Sequence, residues 1–119
     1  MERSGLVIGK TYYALAFADP AHTMPSVEPL VYIGQAESER ADAEPELMFQ
    51  DTVSFVRFGS AVEAPAQGKD CRVTLYSSRM LSDIYELPAL PRLLEAAAER
   101  GRKLNWPSLK KAAGKWLSS

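Results

Sequence analysis

Residues 10–18 read Lys10-Thr11-Tyr12-Tyr13-Ala14-Leu15-Ala16-Phe17-Ala18, and the fold class follows from them. Large and small apolar side chains alternate with period two, and three of the nine are aromatic, which is the pattern of a β-strand. Tyr13, Leu15 and Phe17 are expected on one face and to point to the core, with Tyr12 and the alanines on the other. Asp19-Pro20 ends the run, because proline cannot extend a hydrogen-bonded ladder.

Working outward, Ala18–Pro29 reads as a loop carrying Pro20, Pro25 and Pro29. Leu30-Val31-Tyr32-Ile33 is a short second strand closed by Gly34. Leu47-Met48-Phe49 resumes the apolar pattern. Thr52-Val53-Ser54-Phe55-Val56-Arg57-Phe58 alternates and ends at Gly59, so it is expected to be a strand, with a bend or bulge at Gln50-Asp51. Arg72-Val73-Thr74-Leu75-Tyr76 is the last clear strand, with Val73 and Leu75 expected inward. No helix separates these strands, so antiparallel pairing is expected; parallel strands need helical crossovers.

The period then changes. Met80, Leu81, Ile84 and Tyr85 fall at helical spacing after Ser78, a residue suited to an N-cap. Pro91 suits a first helical turn, Leu90, Leu93, Leu94 and Ala97 form one apolar face, and Gly101 is placed to end the helix. A third apolar stripe, Leu109, Ala112, Ala113, Trp116 and Leu117, predicts a last helix. The expected fold is therefore α+β: a small antiparallel sheet of four to five strands, with an SH3-like barrel as one form of it, followed by two to three C-terminal helices. Residues 1–119 are read as a single domain, with a β-rich body over 1–78 and a helical, basic part over 79–119 packed on it.

The chain's 119 residues can bury a sizeable core without a staple. The only cysteine, Cys71, cannot form an internal disulfide, and no apolar run approaches the roughly 18 residues of a membrane span. A cytoplasmic location without membrane association is the expectation. The net charge of −1 hides an asymmetry: residues 1–88 carry 13 acids against 7 bases, and residues 89–119 carry 2 acids against 7 bases. The simplest account is attraction between the two parts within one domain.

Chemistry is sparse. The single histidine, His22, lies in the first loop near Asp19. One histidine and one cysteine cannot supply the ligands of a closed zinc site. The acidic segment Glu37, Glu39, Asp42, Glu44 and Glu46 lacks the turn glycine of a calcium loop, and Arg40 sits among its carboxylates. No phosphate-cradling glycine motif and no nucleophile elbow occurs. No cofactor, metal or catalytic residue is therefore assigned.

Three functional expectations follow. The first is a small non-enzymatic protein-interaction module, of inhibitor, immunity or accessory type, meeting another protein through its loops and through Glu37, Glu39, Asp42, Glu44 and Glu46. The second is a nucleic-acid-binding accessory protein using Arg100, Arg102, Lys103, Lys110, Lys111 and Lys115 beside Trp106 and Trp116; the pI of 5.8 weighs against it. The third is a small enzyme without a recognisable motif, using Asp19, His22 and Asp51. The open edges of such a sheet also leave room for a homodimer.

Overall fold

The structure is a computed structural model, and it describes residues 5–36, 44–63 and 71–104. Five strands form one antiparallel sheet: β1 (Thr11–Phe17), β2 (Pro25–Ala36), β3 (Glu46–Asp51), β4 (Val73–Tyr76) and β5 (Ile84–Tyr85). Two helices accompany them, α1 (Thr52–Phe58) and α2 (Leu90–Lys103). The strand order is β4-β3-β2-β1-β5. The fold is α+β as expected. Among the described residues the sheet is open, with β4 and β5 at its edges, and does not close into a barrel.

The chain forms two compact units. Of the described residues, the first holds 5–15, 27–36, 44–63 and 71–87 and most of the sheet; the second holds 16–26 and 88–104 with α2. The tip of the β1–β2 hairpin thus belongs to the second unit.

In the first unit, Tyr12, Leu30, Tyr32, Leu47, Phe49, Leu81 and Ile84 form the buried core, with Leu6, Ala14 and Tyr76 packed against it. Phe49 lies at its centre. Its ring meets Tyr12 edge-on at 6.3 Å, Tyr76 edge-on at 5.2 Å and Tyr32 at a tilt at 5.3 Å. Edge-to-face geometry places ring hydrogens against the electron-rich faces of their neighbours and adds to the area term. The core face of β1 therefore carries Tyr12 and Ala14; of the three residues expected inward, Leu15 is buried on the other face, and Tyr13 and Phe17 are only half-buried. Tyr12 buries its ring and keeps its hydroxyl satisfied: the hydroxyl accepts from the Val7 N–H at 2.9 Å.

Several local expectations are corrected. Thr52–Phe58 is a helix, not a strand. Asp51 caps its start, its carboxylate accepting from the Ser54 N–H at 2.9 Å, and Gly59 ends it, donating to the Phe55 carbonyl at 2.8 Å. Gly59 has φ 78° and ψ −170°, a conformation open to glycine almost alone. Gln50-Asp51 is accordingly a strand end and helix cap; the register shift lies in β2 between Tyr32 and Gly34. The second strand is also longer than its apolar kernel, Pro25–Ala36.

Residues 78–83 and 87–89 are short 3₁₀ turns with β5 between them, where one helix was expected. Val73 and Leu75 are exposed rather than inward. Gly101 lies buried inside α2, which runs on to Lys103. Leu90, Ala97 and Gly101 make the buried stripe of α2, with Leu93 half-buried and Leu94 exposed. The expected last helix and both tryptophans lie outside the described residues.

Candidate interaction surface

In the first unit, Gln50 and Asp51 hold α1 in place. Gln50 is fully buried on the face of β3 opposite the aromatic core. Its amide donates to Ser54 Oγ at 2.9 Å and to the Gly59 carbonyl at 3.1 Å, and its Oε1 accepts from the Ala61 N–H at 2.9 Å. One side chain thus ties strand, helix start and helix end together. Asp51 also accepts from the Ser54 hydroxyl and, at 3.0 Å, from the Arg72 N–H. Burial pushes its carboxyl up, but the Ser54 hydroxyl and the N–H groups of Arg72 and Ser54 outweigh this and hold it below 3.8. Among the described residues, every buried side-chain nitrogen and oxygen has a hydrogen-bond partner.

In the second unit, Asp19 organises the hairpin tip. Its carboxylate accepts from the Thr23 hydroxyl at 2.6 Å, from the Thr23 N–H at 2.9 Å and from the Met24 N–H at 2.8 Å. The Thr23 hydroxyl above all, then the Met24 and Thr23 N–H groups, lower its carboxyl below 3.8 against a smaller opposing effect of burial. His22 takes a left-handed conformation, φ 57°, and its ring stacks flat on Phe17 at 4.4 Å. Arg100 of α2 donates from Nε to the His22 carbonyl at 2.8 Å and lies over the Phe17 ring at 5.5 Å.

These contacts place the residues singled out by sequence. Asp19 and His22 belong to one unit and Asp51 to the other; the Asp19 carboxylate organises the hairpin tip and that of Asp51 caps α1. Arg100 is committed to the hairpin tip, and Arg102 pairs with Glu99 one turn back on α2. Lys103 is exposed. Lys110, Lys111 and Lys115 lie outside the described residues, as do Glu37, Glu39 and Asp42. Glu44 accepts a hydrogen bond from the Ser78 hydroxyl, just past the end of β4, and Glu46 opens β3 in an exposed position. The described end of the acidic segment therefore borders the last residues of β4. Cys71 is half-buried just before β4, and no cluster of histidine, cysteine or carboxylate able to hold a metal occurs among the described residues.

The feature that sequence reading missed is the edge position of β4, a strand it did place but with Val73 and Leu75 turned inward. The register pairs Leu47 with Tyr76, Met48 with Leu75, Phe49 with Thr74 and Gln50 with Val73. Asp51 N–H donates to the Arg72 carbonyl at 3.0 Å, so Arg72, Thr74 and Tyr76 direct their backbone groups to β3. By alternation, Val73 and Leu75 direct both N–H and C=O away from the sheet. Their side chains are also in water, 39% and 48% exposed, on the face that carries Met48 and Gln50. No described strand lies beyond β4. Tyr76, on the other face, has its hydroxyl raised above 10.0 by burial first and by the nearby Glu28 and Asp83 carboxylates second. Arg72 stands at the opposite end of the strand, 3.6 Å from Glu28.

No family model, curated protein or solved structure matches this chain. Among the described residues, no helix is long and apolar enough to cross a membrane.

Proposed function

We propose that this chain is a small, cytoplasmic, non-enzymatic protein-interaction module that meets its partner along the open β4 edge. The observation that carries the reading is the coincidence of two exposures at Val73 and Leu75. Outward backbone donors and acceptors and water-exposed aliphatic side chains occur at the same two residues. A free strand edge is a template for another extended segment: the ladder supplies affinity, and alternate side chains supply selectivity. The acidic residues Glu44 and Glu46, at the Tyr76 end of this edge, favour a partner with a basic side chain there.

The test is capture from native lysate by the tagged full chain, in parallel with Leu75→Lys and with Glu44→Gln/Glu46→Gln. A stoichiometric partner retained by the wild type and lost by Leu75→Lys is the expected result, with weakened, salt-dependent capture by the double glutamine variant. Absence of any stoichiometric partner, a second copy of the chain included, or equal capture by Leu75→Lys, refutes the reading.

A further inference from the structure

We infer that the partner of β4 is β4 of a second copy of this chain, paired antiparallel across a twofold axis at Thr74. The inference rests on the reading of β4 as an interaction edge and names its occupant.

The first argument is register. In an antiparallel pair, directly opposed residues alternate between those that exchange both backbone hydrogen bonds and those that exchange none. Val73 and Leu75 are the two residues of β4 whose N–H and C=O face outward. Only one self-pairing sets both against an outward-facing residue of the other copy: Val73 opposite Leu75, Leu75 opposite Val73 and Thr74 opposite Thr74. That register forms two complete hydrogen-bonded pairs, hence four N–H···O=C bonds. Centring on Val73 or on Leu75 sets only that residue against its outward-facing counterpart. The Thr74 axis also places the four exposed aliphatic side chains together on one face, each against a larger or smaller partner. On the other face, two threonines meet in a non-hydrogen-bonded pair, a favourable cross-strand combination.

The second argument is charge. β4 is preceded by a basic residue, Arg72, exposed and shared with Glu28 at 3.6 Å, and followed by acidic ones past its end, where Glu44 and Glu46 lie. Antiparallel pairing brings Arg72 of each copy opposite Tyr76 and toward the acidic end of the other. A guanidinium beside an aromatic ring and near carboxylates is attractive on both counts. Parallel pairing would instead place Arg72 against Arg72 and acids against acids. The product is a closed dimer with one continuous sheet in which neither β4 remains an edge.

The experiment uses the full chain. The mass in solution is followed by sedimentation or light scattering up to about 1 mM, where even weak pairs populate. It is expected to rise from the single-chain 13.1 kDa toward twice that value, and to stay at the single-chain value in Leu75→Lys. Geometry is read by crosslinking in a Cys71→Ala background. Thr74→Cys is expected to form a covalent dimer under mild oxidation, because opposed residues of a non-hydrogen-bonded pair approach to about 4.5 Å between Cα atoms, within disulfide reach. Val73→Cys and Leu75→Cys, each opposite a different residue, are expected to stay uncrosslinked. A wild type that remains single-chain throughout overturns the inference. So does a dimer that Leu75→Lys leaves intact or that Thr74→Cys fails to trap. If copies do not associate while Leu75→Lys still abolishes capture of a different protein, the interaction edge stands and self-pairing falls.

Discussion

Replacing Gln50 with methionine, nearly the same in volume, tests whether the buried amide network holds α1 to the sheet. The amide makes three hydrogen bonds, at 2.9, 3.1 and 2.9 Å, from a side chain with no solvent exposure. Each intramolecular hydrogen bond contributes about 1 kcal/mol net, and a buried group left without a partner costs about 1–3 kcal/mol. Ser54 Oγ keeps its bonds to Asp51, and Gly59 is exposed enough for water to reach its carbonyl. The Ala61 N–H is the group most fully stranded. The greater burial energy of the thioether offsets part of the loss. Together these give a destabilisation of about 2–3 kcal/mol, or a fall of about 8–12 °C in Tm for a chain of this size. Urea unfolding followed by far-ultraviolet circular dichroism measures it, with the slope m expected unchanged. Gln50→Glu separates donor from acceptor: it keeps an oxygen for Ala61, loses the amide donor, and sets a second carboxylate beside Asp51. Its loss at neutral pH should exceed that of the methionine variant and shrink as the medium is acidified. A Gln50→Met protein within 0.5 kcal/mol of wild type, about the scatter of surface substitutions, would refute the reasoning and leave α1 held by apolar contacts.

Other outcomes follow from the same geometry. Phe49→Ala removes the ring at the centre of the aromatic cluster and should cost about 3–5 kcal/mol in urea unfolding. Gly59→Ala meets no neighbouring atom within 4 Å, so its cost is conformational, about 1–3 kcal/mol from forcing a side chain into φ 78°. Asp51→Ala removes the α1 cap and should cost about 1–2 kcal/mol. Asp19 and Asp51 both have carboxyls held below 3.8 in the folded chain, so their contribution is fully present above the unfolded value and is lost as pH falls through the folded value. The urea midpoint should therefore drop below about pH 4, and less steeply in Asp51→Asn.

The candidate surface was hidden in the sequence by the symmetry of an alternating strand. Val73 and Leu75 alternate with Arg72 and Thr74, which identifies a strand and two faces but not which face is covered. A four-residue strand pairs the same way whether its outer side meets another strand or water. Edge status is a property of strand order, and strand order depends on contacts between segments far apart in the chain. The acidic segment was legible as a charge cluster; its place beside the end of β4 was not, because that depends on Glu44 meeting Ser78, 34 residues away.

Local chemistry decided more than alternation did over residues 52–58. Val53, Phe55 and Phe58 fit a strand pattern as well as a helix, since β-branched and aromatic residues tolerate both in short runs. The deciding signal was Asp51, followed three residues later by Ser54 and closed by Gly59, a cap at each end that was present in the sequence. What the sequence determined by itself were the strands at 11–17 and 73–76, the α2 helix and the antiparallel α+β class, all set by short-range periodicity and by proline and glycine stops. Only the tertiary structure decided that the sheet stays open among the described residues, that Gln50 is buried in a polar network and that β4 is an edge strand with Val73 and Leu75 exposed. Those depend on how many strands the chain can bring together, and short-range pattern carries no record of that number.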